Sequence, residues 1–90
     1  MFKDLEHLVK LIRERKDASP SESYTSKLMN DKNLSVSKVK EEIGELIEAI
    51  EKNTNKVHES ADVLYHLLVY LESNNVKIED VMLELKKRQK

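Results

Sequence analysis

Between Lys38 and Leu71 the chain carries two helical periodicities in which acids are set among apolar residues, separated by the polar break EKNTNK. In the first, KVKEEIGELIEAI, the residues Val39, Ile43, Leu46, Ile47 and Ile50 recur at i, i+4, i+7, i+8 and i+11, which makes one apolar stripe. At roughly 100° per residue, Glu41 and Glu48 fall opposite that stripe and Glu42 and Glu45 fall on its shoulder. Residues three apart on a helix have Cβ atoms roughly 5–6 Å apart. Glu42 and Glu45 are therefore expected to turn their carboxylates toward one point, half buried. Unpaired, two such groups repel each other and resist desolvation.

The second periodicity, VHESADVLYHLLVYL, is apolar almost all round from Val63 to Leu71, with His66 as the one break. A helix of that kind is buried on most sides. Yet Glu59, Asp62 and His66, at i, i+3 and i+7, occupy one strip of it. An acidic strip inside a bundle needs a counter-charge. A divalent cation between the two helices supplies one, because hard cations such as Mg²⁺ take oxygen ligands and facing carboxylates on bundle helices hold metals.

Ninety residues predict one domain, spanning residues 1–90. Sixteen basic against seventeen acidic residues leave a formal charge of −1, which argues against a nucleic-acid or anionic-membrane partner. The absence of cysteine excludes a disulfide framework and a thiolate zinc site. No long apolar run or signal-like N-terminus is present, which predicts a soluble, cytoplasmic protein. So short a chain has difficulty covering every face of Val63–Leu71, and a homodimer that places this helix near a shared bundle centre is the expected solution.

The remaining segments also read as helices, and the expected fold class is an all-α bundle of four to five helices completed by homodimerisation. Phe2, Leu5, Leu8, Val9 and Ile12 mark a first amphipathic helix with a basic last turn. DASPSE is a loop, after which Ser23 is placed to cap a short helix from Tyr24 to about Met29. Ser35 or Ser37 is the expected cap of the first acidic helix. Lys52 to Lys56 is short enough to make an antiparallel hairpin, and Asn74-Asn75 ends its second arm. Ile78, Val81, Met82 and Leu85 form a last amphipathic helix with a basic tail. No segment has convincing period-2 alternation.

The acid pattern, Glu41-Glu42-x-x-Glu45 followed by Glu59-x-x-Asp62, resembles the E-E-x-x-E and E-x-x-D signature of the MazG-like all-α nucleotide pyrophosphohydrolases. Other segments narrow the likeness to the phosphoribosyl-ATP pyrophosphohydrolases of histidine biosynthesis. Ser23-Tyr24-Thr25 is similar to their S-Y-T motif, and Lys38-Val39-x-Glu41-Glu42 to their K-V-G-E-E motif. Ala61-Asp62-Val63-Leu64-Tyr65-His66-Leu67-Leu68-Val69 and Asp80-Val81-x-x-Glu84-Leu85-x-x-Arg88 resemble segments that follow. The chain departs from the pattern at Glu22 and Lys40, which stand where the family has glycine. Gly44 lies within the acidic helix, at a cost of about 1 kcal/mol against alanine. None of these removes an expected ligand, and ninety residues leave no room for the cyclohydrolase domain of bifunctional members.

The resemblance implies Mg²⁺-dependent hydrolysis of phosphoribosyl-ATP to phosphoribosyl-AMP and pyrophosphate, with Mn²⁺ as an alternative ion. Glu42, Glu45, Glu59 and Asp62 are then the metal ligands, and Glu41 or Glu45 is the general base. A bound cation would invert the repulsion between an acidic site and a polyphosphate. Ser23, Tyr24, Thr25, Lys38 and Arg88 are the expected substrate contacts, with Arg13 and Arg15 as weaker ones. His66 has a supporting role, orienting Asp62 one turn away. Glu48 reads as a solvated surface acid and Tyr65 as packing. Two alternatives are a house-cleaning nucleoside triphosphate pyrophosphohydrolase and a non-catalytic helical interaction module whose acids serve solubility.

Overall fold

A computed structural model describes residues 2–89, which form five helices: α1 (Lys3–Arg15), α2 (Tyr24–Met29), α3 (Lys32–Lys52), α4 (Lys56–Ser73) and α5 (Ile78–Arg88). Among the described residues there is no strand. No helix is long and apolar enough to cross a membrane. Helices α3 and α4 form a long antiparallel hairpin. Its connection is tight because Asn53 (φ 56°) and Asn55 (φ 41°) both take the left-handed conformation, which asparagine tolerates better than most residues. Helix α4 is the hub, packing against each of the other four. The core joins Val9 and Ile12 of α1, Leu28 of α2, and Leu68 and Val69 of α4. The apolar run in α4 is thus largely covered within the chain.

Two local expectations are corrected. Neither Ser35 nor Ser37 caps α3. Asp31 does, accepting the Leu34 backbone N–H at 3.0 Å, and the helix begins at Lys32. Aspartate caps as well as serine, so the earlier start gains a further turn without losing the cap. Ser35 is instead buried inside the helix. Ser23 does cap α2, accepting the Ser26 N–H at 3.2 Å.

The second correction concerns which face of α3 is inside. Its buried residues are Ser35, Glu42 and Ala49, one every seventh position. The apolar stripe lies about a quarter-turn away at roughly 100° per residue. Val39 and Leu46, between the two faces, are half-buried. Ile43, Ile47 and Ile50 are 41, 54 and 58% exposed. On α4, Val57 and Leu64, seven positions apart, are 85 and 50% exposed. The hairpin therefore turns small and acidic residues inward and leaves branched apolar residues uncovered. The apolar surplus of this chain sits on α3 and one edge of α4 rather than throughout Val63–Leu71.

Helix α5 is held by a three-helix ion network. The Arg13 guanidinium donates to Glu72 of α4 at 2.8 and 3.1 Å, and to Glu79 of α5 at 2.5 and 2.8 Å. This geometry holds the Glu79 carboxyl down at about 2. A depressed carboxylate stabilises the fold above its ordinary value of 4.5 and loses that contribution as pH falls toward about 2. Acid is therefore expected to loosen α5, visible as loss of amide-exchange protection in Ile78–Arg88 below pH 4.5. Arg13→Met should do the same at neutral pH. It leaves the buried Glu72 carboxylate without its partner and should cost about 2 kcal/mol by urea denaturation.

Candidate metal centre and active site

The acids of α3 meet those of the first turns of α4. Glu42, Glu45 and Glu59 each bring a carboxylate oxygen within 4.8 Å of the others. Glu42 is only 7% exposed. Its Oε2 and that of Glu59 are buried with no hydrogen-bond partner among the described residues. Two buried acceptors without donors, on facing helices, are costly unless something positive lies between them. The proton equilibria carry the same strain. Burial raises the Glu42 carboxyl above its ordinary range, and the charges of Glu45 and Asp62 raise it further against a smaller opposing effect of His66. Burial also raises Glu59, reinforced by Glu45 and Asp62. The donor set is all oxygen, which suits a hard divalent cation.

Asp62 lies one turn further along α4. Its Oδ2 is 3.3 Å from Nε2 of His58, and His58, Glu59 and Asp62 form a second group of donor atoms within 4.8 Å of one another. Glu59 belongs to both groups. His58 was not among the residues singled out from the sequence. The available signal was its spacing, because His58 and Asp62 at i and i+4 share one helix face.

His66 does not orient the Asp62 side chain by a hydrogen bond. Its Nδ1 donates to the Asp62 backbone carbonyl at 2.8 Å, the oxygen one turn back on the same helix. A carbonyl only accepts, so Nδ1 carries the proton, and in the neutral ring Nε2 is left to accept from the Tyr24 hydroxyl at 3.2 Å. The S-Y-T segment is thereby fastened to α4. Thr25 Oγ1 meets the Tyr65 hydroxyl at 2.5 Å, and the Tyr24 and Tyr65 rings stack with centroids 6.4 Å apart. With Ser23 engaged as the α2 cap, all three S-Y-T hydroxyls have partners inside the chain. Tyr24 nonetheless remains 47% exposed beside the acidic face. Tyr65, expected only to pack, also supplies half of the Thr25 bond.

The other expected site residues separate. Glu41 turns outward and pairs with Lys38 at 3.3 Å, half exposed, whereas Glu45 reaches the cluster from its exposed side, so of the two acids expected to be half buried Glu42 is buried and Glu45 is not. The Lys38 ammonium is raised above its ordinary range chiefly by its bond to Glu41, with a small further contribution from Glu42. Glu48 is a surface acid paired with Lys52 at 2.6 Å. Arg13 is consumed by Glu72 and Glu79. Arg88 pairs with Glu84 of its own helix at 3.5 Å, and no contact among the described residues brings it to the acid cluster.

The sequence profile of the family described as Phosphoribosyl-ATP pyrophosphohydrolase matches residues 5–89, nearly the whole chain. The chain belongs to the phosphoribosyl-ATP pyrophosphohydrolase family. Among its relatives in the family, "Phosphoribosyl-ATP pyrophosphatase" of Allorhizobium ampelinum is 44% identical over 94% of this chain and 82% of that protein. The protein of the same name from Methanobrevibacter smithii is 34% identical over 93% of this chain and 92% of its own length. "Histidine biosynthesis bifunctional protein HisIE" of Thermotoga maritima is 42% identical over 92% of this chain, which spans 44% of that longer protein. No solved structure matches the chain. The all-α architecture described above is the one the family resemblance implies.

Proposed function

We propose that this chain hydrolyses phosphoribosyl-ATP to phosphoribosyl-AMP and pyrophosphate, a step of histidine biosynthesis, with a divalent cation held between α3 and α4. The observation that carries the metal assignment is the pair of buried, partnerless oxygens on Glu42 and Glu59, in a chain of this family. Glu42, Glu45 and Glu59 would hold the ion, with Asp62 completing the set from the next turn of α4. When bound, Mg²⁺ or Mn²⁺ offsets the carboxylate charge, receives phosphate oxygens and polarises water.

The chain's own residues set up the rest. Glu45 is the better-placed general base, because it belongs to the cluster and Glu41 is turned to Lys38 and solvent. Lys38 stands at the edge as a point charge for phosphate. The exposed ring of Tyr24, steadied by Tyr65 and His66, offers an aromatic face for a base or ribose. Ser23 and Thr25 hold that face in position through the α2 cap and the Tyr65 bond. A substrate role for Arg88 is assigned to a second copy of the chain, since no contact among the described residues brings it to the acid cluster.

A homodimer is part of the proposal, closed over Ile43, Ile47 and Ile50 of α3 together with Leu64 of α4. A cytoplasmic location accompanies a nucleotide substrate made inside the cell. Product analysis with phosphoribosyl-ATP and ATP given separately tests the assignment.

A further inference from the structure

Helix α2 is six residues long, too short to hold its shape alone, so its place is set from outside. Its inner side is seated by Leu28 in the core and by the buried Ser26, whose hydroxyl donates to the Ala18 carbonyl at 2.5 Å. Its first turn, which carries Tyr24, is tied to α4 by two side-chain hydrogen bonds, Tyr24 to His66 and Thr25 to Tyr65. The two anchors are consecutive residues of α4, just after Asp62. One such bond alone would be a pivot about which the first turn of α2 could tilt. Two bonds to neighbouring residues fix the tilt.

Tyr65 supplies more than packing requires. Its ring lies within 17° of parallel to that of Tyr24, and edge-on to that of His66 with centroids 5.0 Å apart. A phenylalanine would make both ring contacts. The hydroxyl adds the bond to Thr25, and Thr25, expected to meet substrate itself, is turned to Tyr65 instead. We infer that Tyr65 is a positioning residue for substrate selection: its hydroxyl, acting through Thr25, fixes the angle at which α2 presents the Tyr24 ring to the ribose-phosphate that ATP lacks. The inference rests on the reading of Tyr24 as a substrate surface given above. Such a role needs no contact between Tyr65 and the substrate, because a small displacement of a binding surface is enough to weaken what it holds.

The test is steady-state kinetics of the intact protein and its variants in Mg²⁺, with phosphoribosyl-ATP and with ATP. Tyr65→Phe removes the hydroxyl and keeps the ring, and Thr25→Val removes its partner. Each is expected to raise KM for phosphoribosyl-ATP about tenfold, on the scale of one hydrogen bond, with kcat changed by less than about twofold. The preference over ATP should fall by about the same factor. The double variant should match either single one, because all three lack the same bond. Thr25→Ser, which keeps the hydroxyl, should keep the parental KM. So should Tyr70→Phe, which removes a hydroxyl from the same helix outside the Tyr24–Tyr65–His66 cluster. A parental KM in Tyr65→Phe would overturn the inference. A loss confined to kcat and equal for the two substrates would also overturn it, since that is the mark of a residue that only supports the fold. Single effects that multiply in the double variant would do the same, because the two hydroxyls would then act apart. A parent protein that cleaves ATP as readily as phosphoribosyl-ATP would instead remove the substrate reading, and this inference with it.

Discussion

Glu42→Gln is expected to lower phosphoribosyl-ATP hydrolysis by at least a hundredfold while the folded protein, without metal, is as stable as its parent or more so. The two effects have one origin. Glu42 is buried, its Oε2 has no donor, and it faces Glu45, Glu59 and Asp62. As a ligand it is costly to lose, since even residues one step removed from a metal contribute roughly ten- to a hundredfold. As an apo carboxylate it is a burden, because ionisation at that position opposes folding. Its folded-state proton affinity is raised, so the native protein holds a proton that the unfolded chain releases. Stability of the metal-free parent should then decline as pH rises from about 4.5 through the raised value, and the Gln variant should lack that decline. The advantage of the variant belongs to neutral pH and disappears below the ordinary carboxylate range. Thermal unfolding in a chelator at several pH values, set beside activity in Mg²⁺, measures both. A variant with parental activity would remove Glu42 from the site. A variant destabilised at neutral pH without metal would mean that the carboxylate has a partner inside the fold.

Ile47→Glu is expected to convert the protein to monomer at micromolar concentration. Ile47 is central in the row Ile43, Ile47, Ile50, and it is 54% exposed in the single chain, so the change costs the monomer little. In a dimer closed over that row, the charge would be buried without a partner. A penalty of about 3 kcal/mol, modest for such burial, weakens association more than a hundredfold. Sedimentation velocity distinguishes the outcomes. A parent protein that is monomeric at all accessible concentrations, or an Ile47→Glu variant that dimerises as before, would show that this face is not the interface. Activity of the monomeric variant then reports whether any part of the site, Arg88 included, is supplied by the second copy.

The elements of this fold were legible because the signals are local. Ser23 as a cap, the Asn53–Asn55 turn and the Asn74 terminus act within a few residues, and each appears where its side-chain chemistry puts it. The direction each helix faces is not local. The isoleucines of α3 look like a core stripe, yet the chain packs α3 through Ser35, Glu42 and Ala49, because the acids of α3 and α4 are placed to meet each other. Helical periodicity identifies an apolar face without saying whether this chain or another covers it. The spacings put Glu42 with Glu45, and Glu59 with Asp62, on one strip of each helix, and the structure brings Glu42, Glu45 and Glu59 together with Asp62 beside Glu59. Glu41 separates from its neighbour Glu42, turning to Lys38 and solvent. Adjacent acids differ by about 100° on a helix, and only one of the pair can point inward.

The most direct measurement gives the purified protein phosphoribosyl-ATP or ATP, with Mg²⁺, and resolves the products. Both substrates carry the same phosphoanhydrides, so the comparison isolates the groups that meet the added ribose-phosphate: Lys38, the Tyr24 face, and whatever a second chain brings. The account predicts phosphoribosyl-AMP and pyrophosphate in equal amounts from the first substrate, with at least a hundredfold lower kcat/KM for ATP, a difference of about 2.7 kcal/mol at the transition state. Equal or faster cleavage of ATP, or release of single phosphates in place of pyrophosphate, would contradict it.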